Sequence, residues 1–137
     1  AALRRGLRLR FLWGGTALCT GRGEQVESLP SLPSIPVRLL WPGIPLSTAA
    51  VYGALTPEEK IVQPGRLEAF LSVLREGDPG RLFGACHNVL EAPALRVLPE
   101  LSSLGGGFRM TGSGSAFFSF DGEKGAPEGW KAWDTST

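Results

Sequence analysis

Glycine and proline fix how long any regular element of this chain can be. Glycine opens the left-handed backbone region and proline withholds an amide hydrogen, so clusters of the two interrupt helices and strands alike. Such clusters fall at Gly14-Gly15, Gly21-Arg22-Gly23, Pro42-Gly43, Gln63-Pro64-Gly65, Gly77-Asp78-Pro79-Gly80 and Gly105-Gly106-Gly107. What lies between them is short. Thr16 to Thr20 and Glu24 to Ser28 flank the second cluster and read as a β-hairpin. Leu29 to Pro36 carries three prolines and reads as an extended connection. Val37 to Trp41 reads as a buried strand that Pro42-Gly43 ends.

Helical signals occupy the middle of the chain. Ser47 or Thr48 can cap a helix running to Leu55, which Thr56-Pro57 stops, with a short turn at Pro57-Glu58-Glu59. Between Arg66 and Glu76 the apolar residues Leu67, Phe70, Leu71 and Leu74 share one helical face. Leu82 to Leu90 reads as helix with a bend near Asn88. Pro93 can open another that carries Leu95, Leu98, Leu101 and Leu104, where Pro99 must kink it or split it. Two strands, 108–110 and 116–120, then flank Thr111-Gly112-Ser113-Gly114-Ser115, and a last strand runs from Trp130 to Thr135 after a polar stretch. Strands separated by unequal helical segments predict an α+β fold, an antiparallel or mixed sheet with helices on one side.

The chain's 137 residues suit one domain, and 42% hydrophobic with 20% charged residues is a globular composition. A net charge of +1 gives no case for nucleic acid or an anionic membrane. Arg4, Arg5, Arg8 and Arg10 form one basic cluster, read as a solvated face ahead of the alternative of an anion-binding arm. Cys19 and Cys86 sit in apolar stretches without disulfide or metal spacing and read as buried free thiols. No His/Cys/Asp/Glu cluster has metal-ligand spacing. No apolar run approaches the roughly 18 residues of a membrane span, and Gly14-Gly15 interrupts the apolar start too early for a secretion signal. Met110 is the single methionine and residue 1 is alanine, which hints at a processed or truncated product; a cytoplasmic location is expected.

The richest segment chemically is Gly107 to Phe120, GFRMTGSGSAFFSF. Glycines between two strands let backbone amides converge on an anion, although the same spacing serves equally as a plain hairpin loop. No Gly-Lys-Ser/Thr follows, so it is not a Walker loop. Its wording, RMTGSGSAFF, resembles the third glycine-rich motif of the GHMP small-molecule kinases. Three other segments follow the order of the family's branch that acts on 4-diphosphocytidyl-2-C-methylerythritol. Gly14 to Glu24 (GGTALCTGRGE) resembles its GRGE hairpin. PGIPLSTAAVYGAL, after the strand at Val37, resembles its strand and helix start, and His87 to Glu91 (HNVLE) resembles its NDLE. The resemblance runs from about Gly6 to Phe120.

The resemblance implies roles. Thr48 matches a substrate-contacting threonine; read alone, it is better explained as a helix cap. Tyr52, one turn on, matches the aromatic residue that stacks on cytosine; read alone, it is a core tyrosine. Gly112, Ser113, Gly114 and Ser115 match the loop near substrate and phosphate. His87 reads as a packing or surface residue, Asn88 as a bond to backbone at a helix bend, and Val89 departs from the family's aspartate. Trp13, Trp41, Trp130 and Trp133 read as packing residues.

Parts of a working kinase are not matched. The family's second glycine-rich motif and first-domain lysine, which clamp phosphates, have no counterpart in the sequence. Where the family carries its catalytic aspartate, this chain reads Gly6-Leu7-Arg8-Leu9-Arg10-Phe11-Leu12, with no acid. The resemblance therefore implies the C-terminal, substrate-side half of an ATP-dependent kinase, inactive as this isolated chain and in need of a missing N-terminal kinase domain. Its parent enzyme transfers the γ-phosphate of ATP to the 2-hydroxyl of a cytidine diphosphate substrate in non-mevalonate isoprenoid biosynthesis. ATP and Mg²⁺ would serve that parent and neither would bind this chain alone. On this reading 1–15 is a remnant of the first domain. Residues 16–137 are a ferredoxin-like C-terminal domain, a four-stranded antiparallel sheet with helices on one side. Three alternatives remain: another GHMP kinase, against which GRGE and STAAVY count; a non-catalytic ligand-binding or interaction domain; and a half that does not fold stably alone.

Overall fold

The structure, a computed structural model, describes residues 15–22, 24–61 and 63–137. The arginine cluster and the Gly6 to Leu12 stretch lie outside the described residues. Two compact units emerge, Ala1–Pro33 and Ser34–Thr137, divided within the proline-rich connection.

In the first unit β1 (Thr16–Thr20) and β2 (Gln25–Leu29) form the expected antiparallel hairpin, with Thr20 opposite Gln25. The turn is held locally. Gly21 takes a φ of +67°, open to glycine at little cost, and the Arg22 amide donates to Glu24 Oε2 at 2.6 Å.

The second unit is built on one sheet. β3 (Pro36–Trp41), β4 (Arg109–Met110), β5 (Phe117–Ser119) and β6 (Lys131–Ser136) lie in the order β4-β5-β3-β6, every neighbouring pair antiparallel. That is the ferredoxin-like strand order, as expected, except that a loop instead of a helix joins β5 to β6. Alternation along the strands sends Leu40, Met110 and Phe117 to one face. There they form a core with Val51 of α1 (Thr48–Gly53) and Ala94 of α4 (Glu91–Val97), joined by Leu90, Leu101 and Phe108. Leu40, Val51 and Ala94 are fully buried; burying a side chain such as Leu40 or Val51 contributes about 1.5–3 kcal/mol. The opposite face carries Leu39, Arg109, Phe118 and Trp133. Phe83 of α3 (Pro79–Ala85) meets Phe118 edge-on at 5.9 Å, with the Arg109 guanidinium 5.3 Å above its ring. A bidentate pair locks β3 to β6: Arg38 Nε and Nη2 donate to the two Asp134 oxygens at 2.8 and 2.9 Å.

The helices differ from expectation in their ends. Asp78 caps α3 by accepting from the Arg81 amide at 2.8 Å, and Pro79 occupies the first helical position, where its missing hydrogen costs nothing. The Gly77 to Gly80 break therefore contains a helix start. The expected helix over 82–90 stops at Ala85: Cys86 is extended, and Asn88 Oδ1 takes the Leu90 amide at 3.0 Å. Pro99 splits the last helical region, leaving α4 and a 3-10 segment, Pro99–Leu104. α2 (Arg66–Glu76) buries Leu74 of its apolar stripe, while Leu67 stays exposed.

Candidate functional site

The start of α1 and the loop between β4 and β5 meet. Ser47 is the cap residue, its hydroxyl accepting from the Ala50 amide at 3.3 Å. Thr48 is thereby released from capping, and its Oγ1 lies 2.8 Å from Ser113 Oγ. Tyr52, one turn on, is 55% exposed and lines the same open depression of about 530 Å³, with Thr48, Asn88, Gly112 and Ser113. A large aromatic left in solvent beside two hydroxyls and a glycine loop presents a stacking face and polar anchors together.

The loop itself is tied from three sides. The Thr111 amide donates to Ala116 O at 2.9 Å and the Gly114 amide to Thr111 O at 3.2 Å. The Asn88 side-chain amide donates to Met110 O and Gly112 O at 2.9 and 2.8 Å. Glu91 Oε2 accepts from the Met110 amide at 2.9 Å. Ser115, 4% exposed, donates to Ile44 O at 2.5 Å and accepts from Trp41 Nε1 at 3.2 Å. Its hydroxyl is thus occupied inside the fold, whereas that of Ser113 faces the depression. Gly114 has φ +89°, and a Cβ there would lie 2.8 Å from Leu46 Cδ2 and 2.9 Å from Met110 Sδ. Only glycine fits.

His87 stands at the rim of the depression. Burial holds its imidazole below the usual histidine range, helped by Arg66 and Arg109 and opposed by Glu91. Burial likewise pushes the Cys86 thiol up, and Arg109 counters it. Both Cys86 and Cys19 are free and only partly buried, less enclosed than their apolar settings predict. Among the described residues no group of three or more His, Cys, Asp or Glu could hold a metal ion. The depression offers hydroxyls, an amide and an imidazole but no carboxylate, a donor set for a polar or anionic organic group and unlike the carboxylate and phosphate oxygens that hold Mg²⁺. Among the described residues, no helix is long and apolar enough to cross a membrane.

The chain is 44% identical over 115 residues to the 4-diphosphocytidyl-2-C-methyl-D-erythritol kinase of Thermotoga petrophila, spanning 79% of this chain and 42% of the relative. Against the kinase of the same name from Thermus thermophilus it is 36% identical over 135 residues, 90% of this chain and 47% of that one. A crystal structure of 4-(cytidine 5'-diphospho)-2C-methyl-D-erythritol kinase superposes with a TM-score of 0.65 at 33% identity, covering 93% of this chain and 51% of the other. This chain belongs to that kinase family. It spans about half the length of the relatives it matches. No protein-family model matches it.

Within the kinase family's fold, Thr48, Tyr52, Gly112 and Ser113, which the resemblance singled out, come together at one depression, while Gly114 and Ser115 support it from inside. Asn88 bonds backbone as expected, but its larger part is the clamp on the loop, for which HNVLE gave a position and no partner. Glu91, the last residue of HNVLE, likewise had a position and no assigned partner, and the Trp41–Ser115 link carried no signal in the sequence. Trp130 is a packing residue, 6.2 Å from Phe117, while Trp133 is half exposed.

Proposed function

We propose that this chain forms the substrate-facing wall of a kinase that phosphorylates the 2-hydroxyl of 4-diphosphocytidyl-2-C-methyl-D-erythritol in non-mevalonate isoprenoid biosynthesis. Tyr52 stacks on the cytosine ring, and Thr48 and Ser113 anchor polar groups of the nucleotide. The observation that carries this reading is the 2.8 Å Thr48–Ser113 contact beside an exposed tyrosine, in a chain with the kinase family's sequence and fold. Gly114 supplies the positive-φ turn of the loop in which Ser113 meets Thr48.

ATP and Mg²⁺ are the remainder of the kinase's business. The depression lacks carboxylates for the metal, and Gly6 to Leu12 carries no acid. The chain by itself therefore binds without turning over, and the N-terminal kinase half is its functional partner. An assay of ADP release with ATP and substrate, with and without the N-terminal half of a full-length relative added in trans, tests this. Release that needs both parts is the expected result. Turnover by this chain alone contradicts it. Binding of substrate with no turnover in either mixture would favour a ligand-binding domain derived from a kinase.

A further inference from the structure

A second cavity, of about 780 Å³, lies between α2 and α4, and Arg66, Cys86, His87, Glu91 and Arg109 line it. It shares His87 and Asn88 with the depression at Thr48 but holds none of the residues assigned to substrate. Its charge is unbalanced. Two guanidiniums face one carboxylate, and that carboxylate is already engaged, accepting from the Met110 amide through Oε2. Neither Arg66 nor Arg109 forms an ion pair among the described residues, where Arg38, Arg81 and Arg96 are the arginines that do. Arg109 is instead stacked on Phe83 and donates to Phe108 O, which fixes the direction of its guanidinium.

Unpaired arginines converging on a concavity are suited to phosphoryl oxygens, which the planar guanidinium binds two at a time. We infer that Arg66, Arg109 and His87 form an anion site for a phosphoryl or diphosphate group, separate from the nucleoside-binding wall. His87 adds a third donor when an anion arrives. Empty, the site favours the neutral imidazole through burial and through Arg66 and Arg109, opposed by Glu91, and burial pushes the neighbouring Cys86 thiol up; Glu58, Glu59 and Lys60 line an adjoining cavity that His87 and Arg66 share. A dianion between the guanidiniums cancels their repulsion and raises the imidazole's pKa. Binding then takes up a proton and tightens as pH falls through the histidine range.

The test is calorimetric titration of the whole chain with inorganic pyrophosphate at pH 6 and pH 8. Saturable binding is expected, weakened at least about tenfold in Arg66→Gln, whose side chain is exposed and replaceable without touching the core. His87→Asn is expected to lose more affinity relative to the parent at pH 6 than at pH 8, a comparison in which pyrophosphate's own titration cancels. Arg109→Gln is the second variant, checked by thermal melting because its stacking on Phe83 is lost. Tyr52→Ala is expected to leave pyrophosphate affinity unchanged, which separates this site from the proposed substrate wall. Absence of saturable binding, equal affinity in Arg66→Gln, or loss of binding in Tyr52→Ala would each overturn the inference.

Discussion

Two loops of this molecule contain glycines in a polar setting, join β5 to another strand, and differ in everything else. Residues 111–116 link β4 to β5, and residues 120–130 link β5 to β6. The first is held by side chains from remote parts of the chain: Asn88, Thr48 and, through Ser115, Trp41. Bonds in the second are mostly local, Asp121 N to Ser119 Oγ and Glu123 N to Asp121 Oδ1, with one anchor from afar where Arg38 Nη1 donates to Lys124 O at 2.9 Å. Glycine content therefore does not make a loop loose. In the first loop Gly114 lets Leu46 and Met110 approach closely, whereas in the second a Cβ at Gly122 or Gly125 would meet nothing within 4 Å.

The contrast is broken most severely at matched glycines. Gly114→Val forces a β-branched residue into left-handed backbone and against Leu46 and Met110, and is expected to cost about 2–4 kcal/mol in urea unfolding. Gly122→Val is expected to stay within about 0.5 kcal/mol of the parent. Equal costs would erase the distinction. Next in size is Asn88→Ala, which leaves Met110 O and Gly112 O without their donor, for an expected loss of about 1–3 kcal/mol. Faster hydrogen exchange at the Thr111 and Gly114 amides should accompany it, with 120–130 unchanged. Ser115→Ala removes partners from Trp41 Nε1 and Ile44 O, for about 1–2 kcal/mol by the same measurement.

The smallest effect is one of pH. The Arg38 guanidinium holds the Asp134 carboxyl below its ordinary range, and hydrogen bonds from Arg96 do the same for Glu59. A depressed carboxylate contributes stability above its unfolded-state pKa and loses it as pH falls through the folded-state value. Melting temperature is thus expected to drop on acidification below the ordinary carboxylate range, and less steeply in Asp134→Asn and Glu59→Gln. Because Asp134 and Arg96 are exposed and Arg38 and Glu59 are partly so, the change should be slight and should shrink with salt. An acid limb as steep in both variants as in the parent would assign the loss to other carboxylates.

Much of this was legible in the sequence. Glycine and proline clusters bracketed the strands, the Leu67–Leu74 spacing marked α2, and Pro99 marked the split in the last helical region. The glycine loop, Thr48 and Tyr52 were legible by wording and order. Errors came where one residue serves two purposes. Asp78-Pro79 looked like a break and is a helix start, because a cap and a turn use the same residue types. The 82–90 helix was overextended because Asn88 leaves helical geometry to clamp a loop 22–24 residues away. The Trp41–Ser115 link joins residues 74 apart, and no local periodicity reports a contact of that span.

The measurement that bears most directly on the central claim is calorimetric titration of the purified chain with CDP, in the absence of ATP, alongside Tyr52→Ala. The account predicts saturable binding by the parent and a loss of at least about tenfold in the variant, the scale of removing a base-stacking ring, with the melting temperature unchanged because Tyr52 lies outside the core. A well-folded parent that does not bind CDP, or a variant that binds it equally well, would contradict the assignment of Thr48, Tyr52 and the glycine loop as a nucleoside-binding wall.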